Sequence, residues 1–356
     1  MRIVFLGLSI TSSWGNGHAT NYRALVRELS ARGHDVLFCE RDVPWYAAQR
    51  DLPEPPWGRT SLYGSLDDLA ERHTEDVAGA DLVVVGSYVP DGVAVAEWAL
   101  DAASGATAFY DIDTPVTLGK LRRGDHEYLT PELIGRYDLY LSFTGGPTLE
   151  LLEDEYGARR AVAFYCLVDP EAYRPPAAPA PVRWDLGYLG TYSDDRQPAL
   201  ERLLLEPARR LPEASFAVAG PQYPESIGWP SNVERIDHLA PADHPSFYAS
   251  QRFTLNVTRE EMRAAGWSPS VRLFEAAACG VPVISDCWPG LDSIFAIGEE
   301  ILVADSVDEA IAFLAEVEEE ERREIGARAR HRVLAEHTAE HRCDQLEHEI
   351  AGVAAR

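Results

Sequence analysis

Short apolar runs alternating with helical stretches constrain this chain more than any other feature. Arg2 to Leu8 (RIVFLGL) is too uniformly apolar to show one face to water, which suits a strand buried on both sides of a parallel sheet. The loop Ser9 to Thr20 and a helix from Asn21 to Ala31 follow; Gly33 ends that helix, and Val36 to Cys39 supplies the next strand of a βαβ unit. Asp81 to Val85, Thr107 to Tyr110, Leu139 to Phe143 and Ala161 to Tyr165 continue the series, with Asp91 to Ala103 and Thr148 to Tyr156 as intervening helices.

Pro175-Pro176-Ala177-Ala178-Pro179-Ala180-Pro181 interrupts the pattern, because repeated prolines block both helices and sheet ladders. Beyond it the alternation resumes with strands at Asp185 to Leu189, Ser215 to Ala219, Val233 to Ile236, Phe253 to Val257 and Pro282 to Ser285, and a helix at Pro198 to Arg210. The expected fold is α/β, two Rossmann-like doubly wound domains facing a cleft, over residues 1–174 and 183–322. Terminal helices in 323–356 are candidates to pack back on the first domain.

With 356 residues, 46% of them hydrophobic, the chain can bury two cores. Acidic residues outnumber basic ones 58 to 32, and a formal charge of -26 disfavours binding to nucleic acid or anionic lipid. Any phosphate must therefore be held locally. Lys120 is the only lysine and lacks a GxxxxGK setting, which discounts P-loop and Schiff-base chemistry. Five cysteines without a CxxC pair suggest a reducing compartment, and no apolar run approaches a membrane span, so a cytoplasmic protein is expected.

Three stretches carry candidate chemistry. Gly15-Asn16-Gly17-His18-Ala19-Thr20 follows the first strand and opens a helix, so Gly17 can bring backbone close to a ligand and His18 can act as a general base near neutral pH. Glu40, at the end of the second strand, stands where a dinucleotide domain holds a ribose, and keeps an NAD-dependent oxidoreductase open. In Tyr110-Asp111-Ile112-Asp113-Thr114-Pro115, alternate positions of an extended chain place Asp111 and Asp113 toward one pocket, as carboxylates for an acceptor or as a thin metal set; the former is preferred.

The third stretch, Ser268 to Asp286, combines an N-cap (Ser268), a proline at the first helical position (Pro269), an alanine-rich helix and a glycine stop (Gly280). Its start at Ser270 and Val271 offers free N–H groups and a positive dipole end to a phosphate. Arg272 and Glu275 share one face, and Glu275 can accept from ribose hydroxyls. Tyr192, Ser193 and Arg196 after one strand, Gly220 and His238 after two others, and Arg252, Asn256 and Arg259 around a fourth add donors and cations suited to a nucleoside diphosphate. His337-Thr338-Ala339-Glu340-His341 spells H-x-x-E-H, but only 15 residues remain to complete a zinc site, so a solvated helix is expected there.

Tyr110 to Thr117, Ser142-Phe143-Thr144-Gly145-Gly146-Pro147, Gly190-Thr191-Tyr192-Ser193, and Ser270 to Ala276 with Ala278-Cys279-Gly280 resemble the GT-B glycosyltransferases, within them the CgeB-like, spore-maturation-type group with its group 1 transferase domain. The resemblance implies an acceptor-side first domain, a second domain that binds a nucleotide sugar (UDP-linked as the first expectation), no metal requirement, and Glu275 on the donor ribose. Where many relatives carry a sugar-touching glutamate eight positions before Glu275, this chain has Trp267, so the donor sugar is not carried over. The expected function is transfer of a sugar from a small-molecule nucleoside-diphosphate donor to a hydroxyl-bearing acceptor that is left open, without nucleic acid, membrane span or further cofactor. The alternatives are the NAD oxidoreductase and a non-catalytic nucleotide-sugar-binding protein.

Overall fold

A computed structural model describes residues 1–15, 17–177 and 181–354, so Asn16 and Ala178 to Ala180 of the stretches named above lie outside the described residues. Each apolar run singled out in the sequence forms a strand. In the first half these are β1 (Arg2–Gly7), β2 (Asp35–Arg41), β3 (Arg59–Tyr63), β4 (Leu82–Gly86), β5 (Ala106–Asp111), β6 (Leu139–Ser142) and β7 (Ala161–Ala163). They pair in parallel in the order β3-β2-β1-β4-β5-β6-β7. In the second half β8 (Trp184–Leu189), β9 (Phe216–Ala219), β10 (Val233–Ile236), β11 (Gln251–Asn256), β12 (Val283–Ser285) and β13 (Leu302–Val303) form a parallel sheet ordered β10-β9-β8-β11-β12-β13.

Both sheets reverse their direction of growth once, between β1 and β4 and between β8 and β11. At such a reversal the two connecting loops diverge at the carboxyl ends of the strands and leave a crevice there. The loops after β1, β4, β8 and β11 are therefore the places to look for chemistry.

The chain forms two compact units, Met1–Cys166 with Ala339–Arg356, and Leu167–Thr338. Within the first, the terminal helix Ala339–Ala354 lies against helix His18–Ala31. Arg32 is bonded to Asp344 (2.6 Å), His34 to Glu347 (2.8 Å) and Arg160 to Glu349 (2.9 Å). Helix Glu319–Glu336 stays with the second unit, packed on helix Val271–Ala278. His337 of the H-x-x-E-H stretch stacks on Phe274 (4.5 Å between centroids), an ordinary packing role. Among the described residues no helix is long and apolar enough to cross a membrane.

Two strands, β3 and β13, escape the sequence pattern. β3 is a half-exposed edge strand with arginine, threonine and serine in place of an apolar run, and β13 has two residues. β3 is held by a Ser61–His73–Asp76 chain: Ser61 Oγ lies 2.8 Å from His73 Nε2, and His73 Nδ1 lies 2.8 Å from Asp76. Arg72 also donates to Ser61 Oγ, so that oxygen is engaged twice and fastens the edge strand to helix Leu66–Ala78.

The close packing of helix 319–336 on the turn after helix 271–278 depends on Gly326, where a Cβ would overlap the carbonyl oxygen of Gly280. Helix propensity alone would make Gly326→Ala stabilising by about 1 kcal/mol. Overpacking outweighs that gain, and the melting temperature is expected to fall by roughly 3–10 °C, as read by calorimetry.

Candidate functional site

In the first unit the loop after β1 turns into helix His18–Ala31 with Gly17 at its N-cap, three residues earlier than the sequence suggests. The loop after β4 brings Tyr88 beside it: the His18 and Tyr88 rings meet edge to face (5.4 Å), and the Tyr88 hydroxyl donates to Asp113 Oδ2 (3.2 Å). His18 Nε2 lies 4.0 Å from the same oxygen. Burial holds the imidazole below its ordinary pKa against the opposing pull of the Asp113 charge, so the neutral, proton-accepting form dominates at pH 7. Tyr88 has φ 63°, a left-handed conformation costly for an aromatic residue. Nothing in the sequence marks it; a strained φ is visible only in the fold.

Asp111 and Asp113 do not share a pocket, contrary to expectation. Asp111 is fully buried and accepts from Tyr140 Oη (2.5 Å), Thr117 Oγ1 (2.8 Å) and the Asp113 amide (3.3 Å). The strand ends at Asp111, so the alternation that would have aligned the two carboxylates stops between them. Glu40 is likewise buried. It accepts from the Ile10 and Thr11 amides (2.7 and 2.9 Å) and from Thr11 Oγ1 (2.6 Å), so the carboxylate is committed to the loop after β1 and is not free for a dinucleotide ribose.

In the second unit helix Val271–Ala278 begins beside the β8–β11 reversal. Ser270, not Ser268, is its N-cap residue; Ser268 and Pro269 are buried in the approach to it. The helix is buried almost throughout, so Arg272 and Glu275, 9% and 6% exposed, are no surface pair. They diverge to different partners. Arg272 Nε donates to the Leu189 carbonyl and Nη1 to Asn256 Oδ1 (2.8 Å), while the guanidinium covers the Tyr188 ring (4.6 Å). Glu275 accepts from Tyr248 Oη (3.1 Å) and lies 3.8 Å from His244 Nδ1, which Tyr173 Oη approaches at 3.2 Å.

Asn256, at the end of β11, joins these parts. Its Oδ1 accepts from Ser270 Oγ (2.7 Å) and Arg272; its Nδ2 donates to Ser285 Oγ (3.0 Å) and Thr258 Oγ1 (3.2 Å). Thr258 in turn donates to Asp286 through its amide and hydroxyl, and burial raises the Asp286 carboxyl to about 6.

The loop after β8 carries Tyr192, Ser193 and Arg196. Arg196 Nε donates to Ser193 Oγ (2.8 Å) and Nη2 to the Thr191 carbonyl (2.6 Å), while Tyr192 Oη donates to Asp194 (2.6 Å). Arg259 lies 3.9 Å from Asp195 of the same loop. Gly220 ends β9 at φ 139°, and a Cβ there would overlap the Gly190 carbonyl, so this loop crossing requires glycine. Arg235 lies over Tyr223 (4.2 Å) and Trp229 (4.6 Å) and donates to the Gly220 carbonyl (3.0 Å), bracing the same crossing. His238 is exposed after β10. The structure thus brings Ser270, Val271, Arg272 and Glu275 together at one helix, with Arg196, Ser193 and Arg259 on the loops at the same strand ends; among the described residues His238 is not brought into this set. Among the described residues no group of three or more His, Cys, Asp or Glu side chains is arranged to hold a metal.

Residues 196–348 match the family described as glycosyl transferase-like. No curated protein matches the sequence. Solved structures match over essentially the full chain. The Anabaena protein Alr3699/HepE in complex with UDP and glucose has a TM-score of 0.73 at 13% identity, covering 99% of this chain and 100% of that one. Sucrose-phosphate synthase from Thermosynechococcus elongatus gives 0.69 at 14%, with 100% of both chains covered. An alpha-glucosyltransferase in complex with UDP and DNA containing an HMU base gives 0.68 at 11%, covering 98% and 99%. The fold is that of the GT-B glycosyltransferases.

Burial also raises the Asp111 carboxyl to about 6, above its unfolded value near 3.8, because its hydrogen bonds only partly offset desolvation. A raised folded pKa gives stability that is complete below the unfolded pKa and lost as pH rises through 6. Asp111→Asn is therefore expected to shrink the stability gained between pH 7.5 and pH 5 by about 1 kcal/mol relative to the native protein, measured by urea unfolding at the two pH values.

Proposed function

We propose that this chain is a glycosyltransferase of the CgeB-like group that moves a sugar from a UDP-linked donor to a hydroxyl-bearing acceptor. The observation that carries this reading is the start of helix 271–278, locked by Asn256 to the carboxyl ends of β11 and β12. Free N–H groups and the Arg272, Arg196 and Arg259 guanidiniums supply positive potential for a diphosphate leaving group. Glu275, one turn further along, accepts from ribose hydroxyls within a rim of Tyr248 and His244. In the transfer the anomeric carbon–phosphate oxygen bond breaks, the bond to the acceptor oxygen forms, and His18 takes the acceptor proton with Asp113 stabilising the imidazolium.

The fold match and the 196–348 family match favour this reading over the oxidoreductase, whose acidic anchor Glu40 is already engaged. Because the cations are arginines fixed in the fold, turnover is expected to survive EDTA. Five free thiols, one of them the exposed Cys287, suit a reducing, cytoplasmic setting. The His18–Tyr88–Asp113 cluster favours catalysis over passive binding of a nucleotide sugar.

Calorimetric titration with UDP tests the donor site. Glu275→Gln is expected to weaken UDP roughly ten-fold through loss of charge-assisted hydrogen bonds, and unchanged affinity would remove Glu275 from the site. His18→Asn should lower kcat by about 10²–10⁴ while leaving the KM for the donor nearly unchanged. In the native enzyme the rate should fall on the acid side only below the ordinary histidine range, since burial depresses the His18 pKa.

A further inference from the structure

Asp111 is a buried carboxyl group that the transfer step leaves unused, yet it is connected to the cluster around His18. One of its oxygens accepts from the Tyr140 hydroxyl of β6 and the other from Thr117 Oγ1 of helix Thr114–Arg122. Thr117 Oγ1 stands 2.8 Å from Tyr128 Oη, where either oxygen can donate. The Tyr128 hydroxyl is hydrogen-bonded in turn to that of Tyr88, and the two rings lie 4.7 Å apart. Tyr88 Oη also reaches Asp113 Oδ2 (3.2 Å), the oxygen 4.0 Å from His18 Nε2. A line of three hydroxyls thus joins the two carboxyl groups of the Asp111-Ile112-Asp113 stretch.

The surrounding fold fixes the parts of this line. Asp111, Thr117 and Tyr128 are buried, and Gly92 packs so closely that a Cβ there would stand 2.6 Å from Tyr128 Cβ. Tyr88 (φ 63°) and Asp91 (φ 56°) in the loop after β4 are both left-handed, a strain that persists only where the structure around it imposes it. Burial pushes the Tyr128 and Tyr140 phenols far above their ordinary range, so they keep their hydrogens. A hydroxyl has one hydrogen to give, so Thr117, Tyr128 and Tyr88 must all point the same way along the line.

We propose that Asp111 is a positioning residue for the His18–Asp113 pair, acting through Thr117, Tyr128 and Tyr88 by setting which way their hydrogens point; this rests on the reading of His18 as the base. With Asp111 ionised, Thr117 donates to it, Tyr128 to Thr117 and Tyr88 to Tyr128, which draws the Tyr88 hydrogen away from Asp113. Asp113, without that hydrogen bond, is a stronger partner for the imidazolium formed when His18 takes the acceptor proton. Protonated Asp111 donates to Thr117 and reverses the line, so that Tyr88 donates to Asp113 and the base weakens. Burial raises the Asp111 carboxyl to about 6, so the ionised arrangement prevails at pH 7. The other titratable groups facing the line keep their protons at that pH. Tyr22 of helix His18–Ala31, beside the Asp111 charge, is raised above its ordinary range, and Lys120, 5.8 Å from the Tyr128 ring centroid, is held charged by Glu127 and Asp125.

Nuclear magnetic resonance of the His18 imidazole on the full chain, titrated between pH 4 and pH 8, tests this; the signal is identified by its absence from His18→Asn. In the native protein it should show its own inflection and a second near pH 6 as Asp111 titrates. In Asp111→Asn the amide accepts from Tyr140 and donates to Thr117, as protonated Asp111 would. The inflection near pH 6 should then vanish, and the His18 inflection should fall by roughly half to one pH unit. Tyr128→Phe cuts the line but keeps the Asp111 charge, so it separates the line from attraction through space. It should lower the His18 inflection by a similar amount and flatten the one near pH 6, and Thr117→Val, a second cut, should do the same. A native-like titration in either folded variant would overturn the proposal. A native His18 without an inflection near pH 6 would also overturn it, and that measurement needs no variant to fold. Retained turnover in His18→Asn would instead overturn the base assignment on which the proposal rests, whatever the spectra show.

Discussion

One side-chain amide organises the second half of this protein. Asn256 accepts two hydrogen bonds from the start of helix 271–278 and gives two to groups that close the loops after β11 and β12. A buried amide with both ends satisfied is a rigid joint, because each partner that let go would leave a polar group unmet in a low-dielectric interior. Through it, the helix start proposed to meet the diphosphate is fixed to the sheet. Arg272 extends the joint to β8 by donating to Leu189 and covering Tyr188, so the two strands flanking the sheet reversal are tied by one guanidinium.

The arrangement suits a protein of net charge -26 that, in the proposed function, holds a diphosphate. A diffuse positive surface is not available to it. Positive potential is concentrated instead where helix dipole, backbone amides and a few arginines converge, and burial of the arginine stems keeps that potential from being screened. The first unit repeats the geometry with other chemistry. At its own sheet reversal, helix start and neighbouring loop bring an imidazole, a phenol and a carboxylate together. Tyr88 there, like Trp267 in the second unit, sits in left-handed backbone. Each unit thus keeps one strained aromatic residue on a loop at the carboxyl ends of its strands.

Much of the fold could be read from residue order, because parallel strands buried on both faces must be apolar throughout and their crossover helices must follow at regular intervals. β3 was illegible for the opposite reason: an edge strand exposes polar side chains and takes its stability from the neighbouring strand and from the Ser61–His73–Asp76 chain, neither of which leaves a local pattern. The helix cap shows the limit at finer scale. Ser268-Pro269 has the composition of a helix start, yet tertiary packing buries both and passes the role to Ser270, whose hydroxyl reaches Asn256.

Sequence alone determined the alternation of strand and helix, the poverty in lysine, and the residue types gathered at the strand ends, since these follow from composition and period. Only the tertiary structure decided which of those residues are consumed by internal partners and which stand with the candidate groups. Glu40 and Asp111 have the chemistry of a site and are consumed as internal acceptors, whereas Tyr88, Tyr248 and His244 carry no motif and stand beside the candidate groups. A carboxylate's role depends on whether neighbouring donors have already satisfied it, and those donors come from segments far apart in the chain.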